Sequence, residues 1–130
     1  MSPPRRERGR RAERRGRVAE TLAVWFLRAK GYRILARRLK PPKGGGGGEI
    51  DVVAARGGVL AFVEIKARPG SGEGLAAIRP RQRQRIERAA EWFLQTHPGC
   101  AYKSIRFDAL VLVPWRLPRH LADAWRPDAG

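Results

Sequence analysis

The segment that decides the fold is GEIDVVAARGGVLAFVEIKAR, residues 48–68. It contains two runs rich in valine, isoleucine and alanine, joined by Gly57 and Gly58. Two adjacent glycines between such runs are typical of a two-residue β-hairpin turn, because both positions tolerate a positive φ. We therefore predict two antiparallel strands, over residues 49–56 and 59–67.

The two-residue turn also sets the register of the hairpin. It places Asp51 directly opposite Glu64 and Glu49 directly opposite Lys66, all on one face of the hairpin. Directly opposed carboxylates lie about 5 Å apart at Cβ and repel each other, so strand stability alone does not favour them. Two converging carboxylates do provide the oxygen ligands that Mg²⁺ and Mn²⁺ prefer. The register therefore predicts a divalent-metal site at Asp51 and Glu64.

A second interpretation of this face is a solvated surface with a cross-strand ion pair between Glu49 and Lys66. Val53 and Phe62 share the face, which argues against full solvation. The charged residues also interrupt a run, LAFVEIKA, that otherwise has the pattern of a buried strand. Because burying a charge is costly unless it is paired or bound to a metal, the metal site is the favoured interpretation.

The flanking segments predict an α/β fold with the element order αβββαβ, which packs most economically as one sheet with a helix on each side. The added elements are a helix over residues 12–30, a strand over 32–38, a helix from Pro80 to Pro98, a strand over 105–113 and a short helix at 119–126. We expect Asp108 to have a structural hydrogen-bonding role in the last strand. We assign no role to His120, which lacks metal-ligand spacing.

The first helix carries an apolar stripe of Val18, Leu22, Trp25 and Ala29, and apolar residues on its other sides indicate packing on several sides. The stretch PPKGGGGG, residues 41–48, predicts a flexible loop before the hairpin.

Charge identifies the class of partner. The 130 residues include 28 Lys+Arg against 12 Asp+Glu, a formal net charge of +16, and such a field favours a polyanionic partner, either nucleic acid or an anionic membrane. Arginines near a helix N-terminus suit a phosphate backbone. The candidate nucleic-acid contacts are Arg68, Arg79, Arg81, Arg85 and Arg88.

The hairpin residues resemble the PD-(D/E)XK nuclease superfamily, whose pattern is an acid on one strand and (D/E)-x-K on the next. Here these are Asp51 and Glu64-Ile65-Lys66. The chain is still more similar to the YraN-like family of bacterial proteins, which resemble archaeal Holliday junction resolvases. The segments that carry this resemblance are GEIDVVA at 48–54, LAFVEIKAR at 60–68, the helix from Arg17 through Gly31, and RFDALVLV at 106–113.

The resemblance implies a restriction-endonuclease-like αβββαβ core, with a central mixed β-sheet flanked by helices. It implies an endonuclease that depends on Mg²⁺ or Mn²⁺ and hydrolyses phosphodiester bonds in DNA, branched DNA included. Asp51 and Glu64 resemble the metal ligands, and Lys66 the residue that positions the attacking water and stabilises charge on the phosphate. Glu20 resembles an additional acid at the metal, and these four are the candidate catalytic residues.

Three side chains near the candidate site have two interpretations each. Glu20 either joins the metal site or forms an i,i+3 pair with Arg17. Glu49 is expected to support the ligands or to pair with Lys66, rather than to bind the metal itself. Gln82 either directs its amide toward the site or is a solvated helix start.

The domain boundaries and compartment follow from composition. We predict a disordered basic arm over residues 1–15, one endonuclease-like domain over 16–126 and a tail over 127–130. The single cysteine excludes an internal disulfide, and no apolar run approaches the ~20 residues of a membrane span, so we expect a cytoplasmic protein without a membrane partner.

Two rival functions remain open. One is a non-catalytic nucleic-acid-binding protein that retains the nuclease fold, and the other is a basic protein of a membrane surface or the ribosome. If the substrate is a four-way junction, symmetric cutting of two strands favours a homodimer.

Overall fold

The computed structural model describes residues 5–43, 47–67, 78–98 and 102–127, with side chains described from residue 16 onwards. In chain order the elements are α1 (Arg5–Ala29), β1 (Arg33–Leu39), β2 (Ile50–Arg56), β3 (Val59–Ala67), α2 (Pro80–Thr96), β4 (Ser104–Leu112) and β5 (Arg119–Trp125). Most of the predicted tail, residues 128–130, lies outside the described ranges.

The five strands form one mixed sheet in the order β1-β2-β3-β4-β5. Strands β3 and β4 are parallel, because the chain crosses over through α2 between them, and the other neighbours are antiparallel. The predicted α/β class, with a central mixed sheet and flanking helices, is confirmed at this level. Within the described ranges, neither helix combines the length and apolar character that crossing a membrane requires.

Alternation along the strands divides the core into two clusters on opposite faces of the sheet. Val53 and Phe62 belong to the cluster that includes Ile86 of α2. Val52 and Val63, one position along each strand, belong to the cluster that contains Val24 and Leu27 of α1 together with Leu110 of β4. Each helix therefore covers one face of the sheet.

The predicted hairpin register is confirmed. Strand β2 pairs with β3 from Arg56↔Val59 to Val52↔Val63, and Gly57 in the turn has a φ of 60°. A residue with a side chain would be strained in this left-handed conformation, which is why the turn requires glycine.

Two predicted elements are wrong. Helix α1 begins at Arg5, ahead of the predicted start at residue 12. The segment predicted as a helix at 119–126 is strand β5, which pairs with the edge of β4. An unpaired strand edge offers a row of backbone donors and acceptors, and a seven-residue segment gains more from it than from an isolated helical turn.

The prediction that α1 packs on several sides is wrong, because the stripe that begins at Val18 faces solvent. Val18, Leu22 and Trp25 are exposed, and Trp25 retains 66% of its accessible surface. The buried face contains Ala23 and Leu27 instead, about one residue further round the helix. The helix is apolar on several sides, so its periodicity did not determine which side faces the sheet.

Gly47 and Gly48, the described part of the glycine run, pack closely against α2. The Gly48 N–H donates to the Arg85 carbonyl at 3.0 Å, and a Cβ added at Gly47 would lie 3.0 Å from the backbone nitrogen of Ala89. Residues 44–46 of the predicted flexible loop lie outside the described ranges. A side chain at Gly47 would therefore press on the backbone of α2, which would have to move by a few tenths of an ångström to admit it.

We expect Gly47→Ala to lower the free energy of unfolding by about 1–3 kcal/mol, because backbone must shift to admit the new methyl group. The matched variant is Gly16→Ala, in α1, where an added Cβ meets nothing within 4 Å. It should stabilise the protein by up to about 1 kcal/mol, since alanine favours helix over glycine. Urea denaturation of both variants checks this; equal effects of the same sign would contradict it.

Candidate metal and nucleic-acid site

The candidate site begins with a pair of carboxylates on the β2–β3 hairpin. Asp51 and Glu64 lie one residue beyond the Val52↔Val63 pair, and their side chains are joined by a hydrogen bond. Asp51 Oδ2 also accepts the backbone N–H of Ile65 at 2.8 Å. The strands are antiparallel, so the start of β2 and the end of β3 bring the two acids to the same end of the sheet.

The environment of these acids disfavours two negative charges. Burial, together with the charge of Asp51, raises the pKa of Glu64 to about 8 even though Lys66 acts in the opposite direction. Burial also raises the pKa of Asp51, and the N–H of Ile65 opposes that shift. Two ionised carboxylates are therefore disfavoured here unless a cation neutralises them.

Lys66 and Gln82 complete a polar cluster around Glu64. Lys66 Nζ lies 3.5 Å from Glu64 Oε1 and donates to Gln82 Oε1 at 3.2 Å. Gln82 Nε2 donates to Glu64 Oε1 at 2.8 Å. The amide of Gln82, from the first turn of α2, therefore points at the predicted site and links the acid to the lysine. The acidic partner described for Lys66 is Glu64, not Glu49, which lies exposed.

Two arginines of strand β1 hold the Glu20 side chain in place. It is 7% exposed, and its two carboxylate oxygens accept Nε–H of Arg37 at 2.8 Å and Nε–H of Arg38. Successive strand residues normally point to opposite faces, but Arg38 has a φ of 51°. This left-handed conformation accompanies the approach of both arginines to one carboxylate. Neither arginine was identified from the sequence.

A cavity of about 380 Å³ connects Glu20 to the hairpin. Its charged lining includes Glu20, Arg38, Glu49 and Asp51. Glu64 and Lys66 do not line it, because they face Gln82 on the α2 side. Asp51 thus lies between Glu20 on the α1 side and the cluster of Glu64, Lys66 and Gln82 on the α2 side. Among the described residues, no set of three or more His, Cys, Asp or Glu side chains converges closely enough to hold a metal ion.

The candidate nucleic-acid contacts of α2 are accessible. Arg79, Arg81, Arg85 and Arg88 are all exposed, whereas Arg68 lies outside the described ranges. Arg83, in the same run, is partly buried and donates to the Ile78 carbonyl at 2.9 Å. The four exposed guanidinium groups are available to an anionic partner.

Comparison with known proteins agrees with the resemblance to the YraN-like family. Residues 19–112 match the model of "Uncharacterised protein family UPF0102". The chain belongs to the UPF0102 family. It is 52% identical to a UPF0102 protein of Paramagnetospirillum magneticum, over 98% of both chains. It is 56% identical to one from Parvibaculum lavamentivorans, over 92% of this chain and 86% of the relative. These names state no activity.

Removal of metal should make stability depend on pH. In EDTA, we expect the free energy of unfolding to fall by on the order of a few kcal/mol as pH rises from 4.5 to about 8. The folded state holds the Glu64 proton more tightly than the unfolded chain, so this contribution is complete below pH 4.5 and lost as pH passes 8. Glu64→Gln should flatten the profile. Urea titrations across pH measure it, and parallel profiles would contradict the assignment.

Proposed function

We propose that this protein is a divalent-metal-dependent endonuclease that hydrolyses phosphodiester bonds in DNA and has a restriction-endonuclease-like core. The observation that carries the proposal is the hydrogen-bonded pair of buried Glu64 and half-buried Asp51, with Lys66 beside it. Two neighbouring carboxylates whose pKa values are raised reduce the stability of the metal-free fold. Because the fold gains nothing from them in that state, their presence favours a functional role. The charge of +16 favours a polyanionic substrate.

The residues present fit Mg²⁺ or Mn²⁺. Magnesium is commonly held by one or two carboxylates, with water and substrate phosphate completing its coordination, so a set of three protein ligands is not required. Asp51 and Glu64 would hold the ion, and neutralisation of their charges would restore the ionised forms. A bound ion would supply Lewis acidity to the attack of water on phosphorus.

The chain's own groups have distinct roles in this proposal. As the water oxygen bonds to phosphorus and the bond to the leaving sugar oxygen breaks, the Lys66 ammonium meets the negative charge that grows on the phosphate. Gln82 holds Lys66 and Glu64 in their relative positions. Glu20 is the third acid, and Arg37 and Arg38 balance its charge in the metal-free state.

A nucleic-acid-binding protein without catalysis is the second candidate. It is favoured by two observations: both oxygens of Glu20 are engaged by arginines, and no three acids of the described residues converge on one point. In that case the exposed arginines of α2 would carry binding, and the acids would weaken it by repelling phosphate.

A cleavage assay separates the two candidates. Labelled four-way junction, flap, single-stranded and duplex DNA are incubated with purified protein and Mg²⁺, Mn²⁺ or EDTA. Cutting with either metal but not with EDTA supports the endonuclease. Binding of the same substrates without cutting in either metal contradicts it and favours the binding protein.

Sedimentation with the junction shows whether two copies bind, as symmetric cutting requires.

A further inference from the structure

The connection between β4 and β5, residues 113–118, presents an aromatic ring to solvent. Trp115 is fully exposed and Leu117 is 89% exposed. Trp115 has a φ of 64°, which is uncommon for a bulky residue. The Arg116 N–H, donating to the Val113 carbonyl at 3.2 Å, closes the turn around it. The backbone is thus held in an unfavourable conformation that directs a large apolar side chain away from the core.

This turn lies at the same end of the sheet as the candidate site. Strands β3 and β4 are parallel, and Lys66 pairs with Val111. Adjacent strands are about 4.8 Å apart and an extended chain advances at most about 3.6 Å per residue, so the Cα of Trp115 lies within about 20 Å of the Cα of Lys66. That span is about six nucleotide steps of B-DNA.

The chemistry of the turn suits an unpaired nucleotide base. Arg116 and Arg119, which follow Trp115 along the chain, are both exposed and offer charge to phosphates. Aromatic rings bind single-stranded nucleic acid by stacking, whereas bases inside a duplex are covered by their neighbours. Pro114 and Pro118 restrict the backbone of the turn, which reduces the entropy that binding would remove.

We propose that Trp115 stacks on an unpaired base, so that the substrate class of this protein is nucleic acid with single-stranded or branched regions within about six nucleotides of the scissile bond. This role of Trp115 adds a substrate class to the proposed nuclease function and rests on that function, because Trp115 and the candidate site lie at the same end of the sheet. Trp115 makes no ring-stacking or cation–π contact with other described residues, so its ring is available.

Binding measured in EDTA tests the role of Trp115 separately from cleavage. The probes are a labelled oligothymidine of about 20 nucleotides and a duplex of equal length, followed by fluorescence anisotropy at fixed salt. We expect Trp115→Ala to weaken single-strand binding about 5- to 100-fold and duplex binding less than about twofold. Trp115→Phe should retain most of the affinity. Trp25→Ala, which removes an exposed tryptophan from α1, should leave both affinities unchanged.

Three outcomes would overturn the proposal. The first is an unchanged affinity of Trp115→Ala for the single strand. The second is an equal loss of affinity for the single strand and for the duplex. The third is a loss only of binding to phosphatidylglycerol vesicles, which would make the turn a membrane contact. A wild-type protein that binds single strands through Trp115 but never cuts would contradict the endonuclease while supporting the stacking role. A protein that cuts equally well and binds equally tightly without Trp115 would contradict the stacking role alone.

Discussion

Glu64→Gln should lower the rate of metal-dependent cleavage by at least about 10³-fold. The amide is neutral and has one acceptor oxygen, so it would be a much weaker partner for Mg²⁺ or Mn²⁺ than a carboxylate. Loss of a single electrostatic contact in other active sites lowers rates about 10²- to 10³-fold, and loss of a metal ligand should exceed that. Initial rates on the best DNA substrate, with saturating metal, measure the effect.

The fold should tolerate this substitution. Glutamine has the shape of glutamate and can still accept the hydrogen bond from Gln82 Nε2. With a pKa of about 8, Glu64 is largely protonated at neutral pH in the metal-free protein, so a neutral side chain resembles its resting state. Unfolding in EDTA at pH 7 should therefore show wild-type or greater stability, which separates lost chemistry from lost structure.

The matched control is Glu91→Gln, which makes the same change on an exposed position of α2. It should cut at the wild-type rate. DNA binding in EDTA should be retained by both variants, and Glu64→Gln should not bind more weakly than Glu91→Gln, since it adds no repulsion of phosphate. Wild-type cleavage by Glu64→Gln would contradict the metal-ligand role and imply a contaminating nuclease or a different site.

The hairpin was predictable because its determinants are local. The glycine pair fixes the turn type, and the turn fixes which residues oppose each other. The register from Arg56↔Val59 to Val52↔Val63 follows directly, and with it the approach of Asp51 to Glu64. Burial of Glu64 also follows, since the strand around it is apolar on both faces.

The support of Glu20 was not predictable because its determinants are non-local. Arg37 and Arg38 lie within an ordinary strand sequence, and nothing in it signals that Arg38 adopts a positive φ or that β1 has a register shift between Ile34 and Ala36. The orientation of α1 was not predictable either, because the helix is apolar on more than one side and any of these sides could face the sheet. Pairing of β5 likewise depends on the edge of β4, not on its own seven residues.

Asp108 organises a buried polar cluster on the α1 face of the sheet. It is completely buried and accepts hydrogen bonds from Arg106 at 2.8 Å, His120 Nε2 at 2.8 Å and the Asp123 N–H at 2.9 Å. Arg106 also donates to the Tyr32 hydroxyl at 2.7 Å. The expected structural role of Asp108 agrees with these contacts. His120, to which the sequence assigned no role, joins β5 to β4 through this carboxylate.

The electrostatics of Asp108 show that its charge is stabilised by its partners. Burial would raise its pKa, but the hydrogen bonds from His120 and Arg106 outweigh burial and lower the pKa below its usual value. A lowered pKa means that the folded state favours the carboxylate. Its contribution to stability is therefore complete above the ordinary pKa of an aspartate and is lost as pH falls through the lower value of the folded state.

Asp108→Ala should lower the free energy of unfolding by about 3–5 kcal/mol, because the partly buried Arg106 and the buried His120 side chain both lose this carboxylate as their acceptor. Asp108→Asn keeps one acceptor oxygen and should show a smaller loss, which keeps the test informative if the alanine variant does not fold. The control is Asp123→Asn, whose carboxylate pairs with the exposed Arg126 and should contribute less than about 1 kcal/mol. Urea denaturation at pH 7 ranks the three variants. If Asp108→Asn cost no more than Asp123→Asn, the carboxylate would not organise this face, and the attachment of β5 would have to rest on its backbone pairing and on the stacking of Trp125 against Phe107.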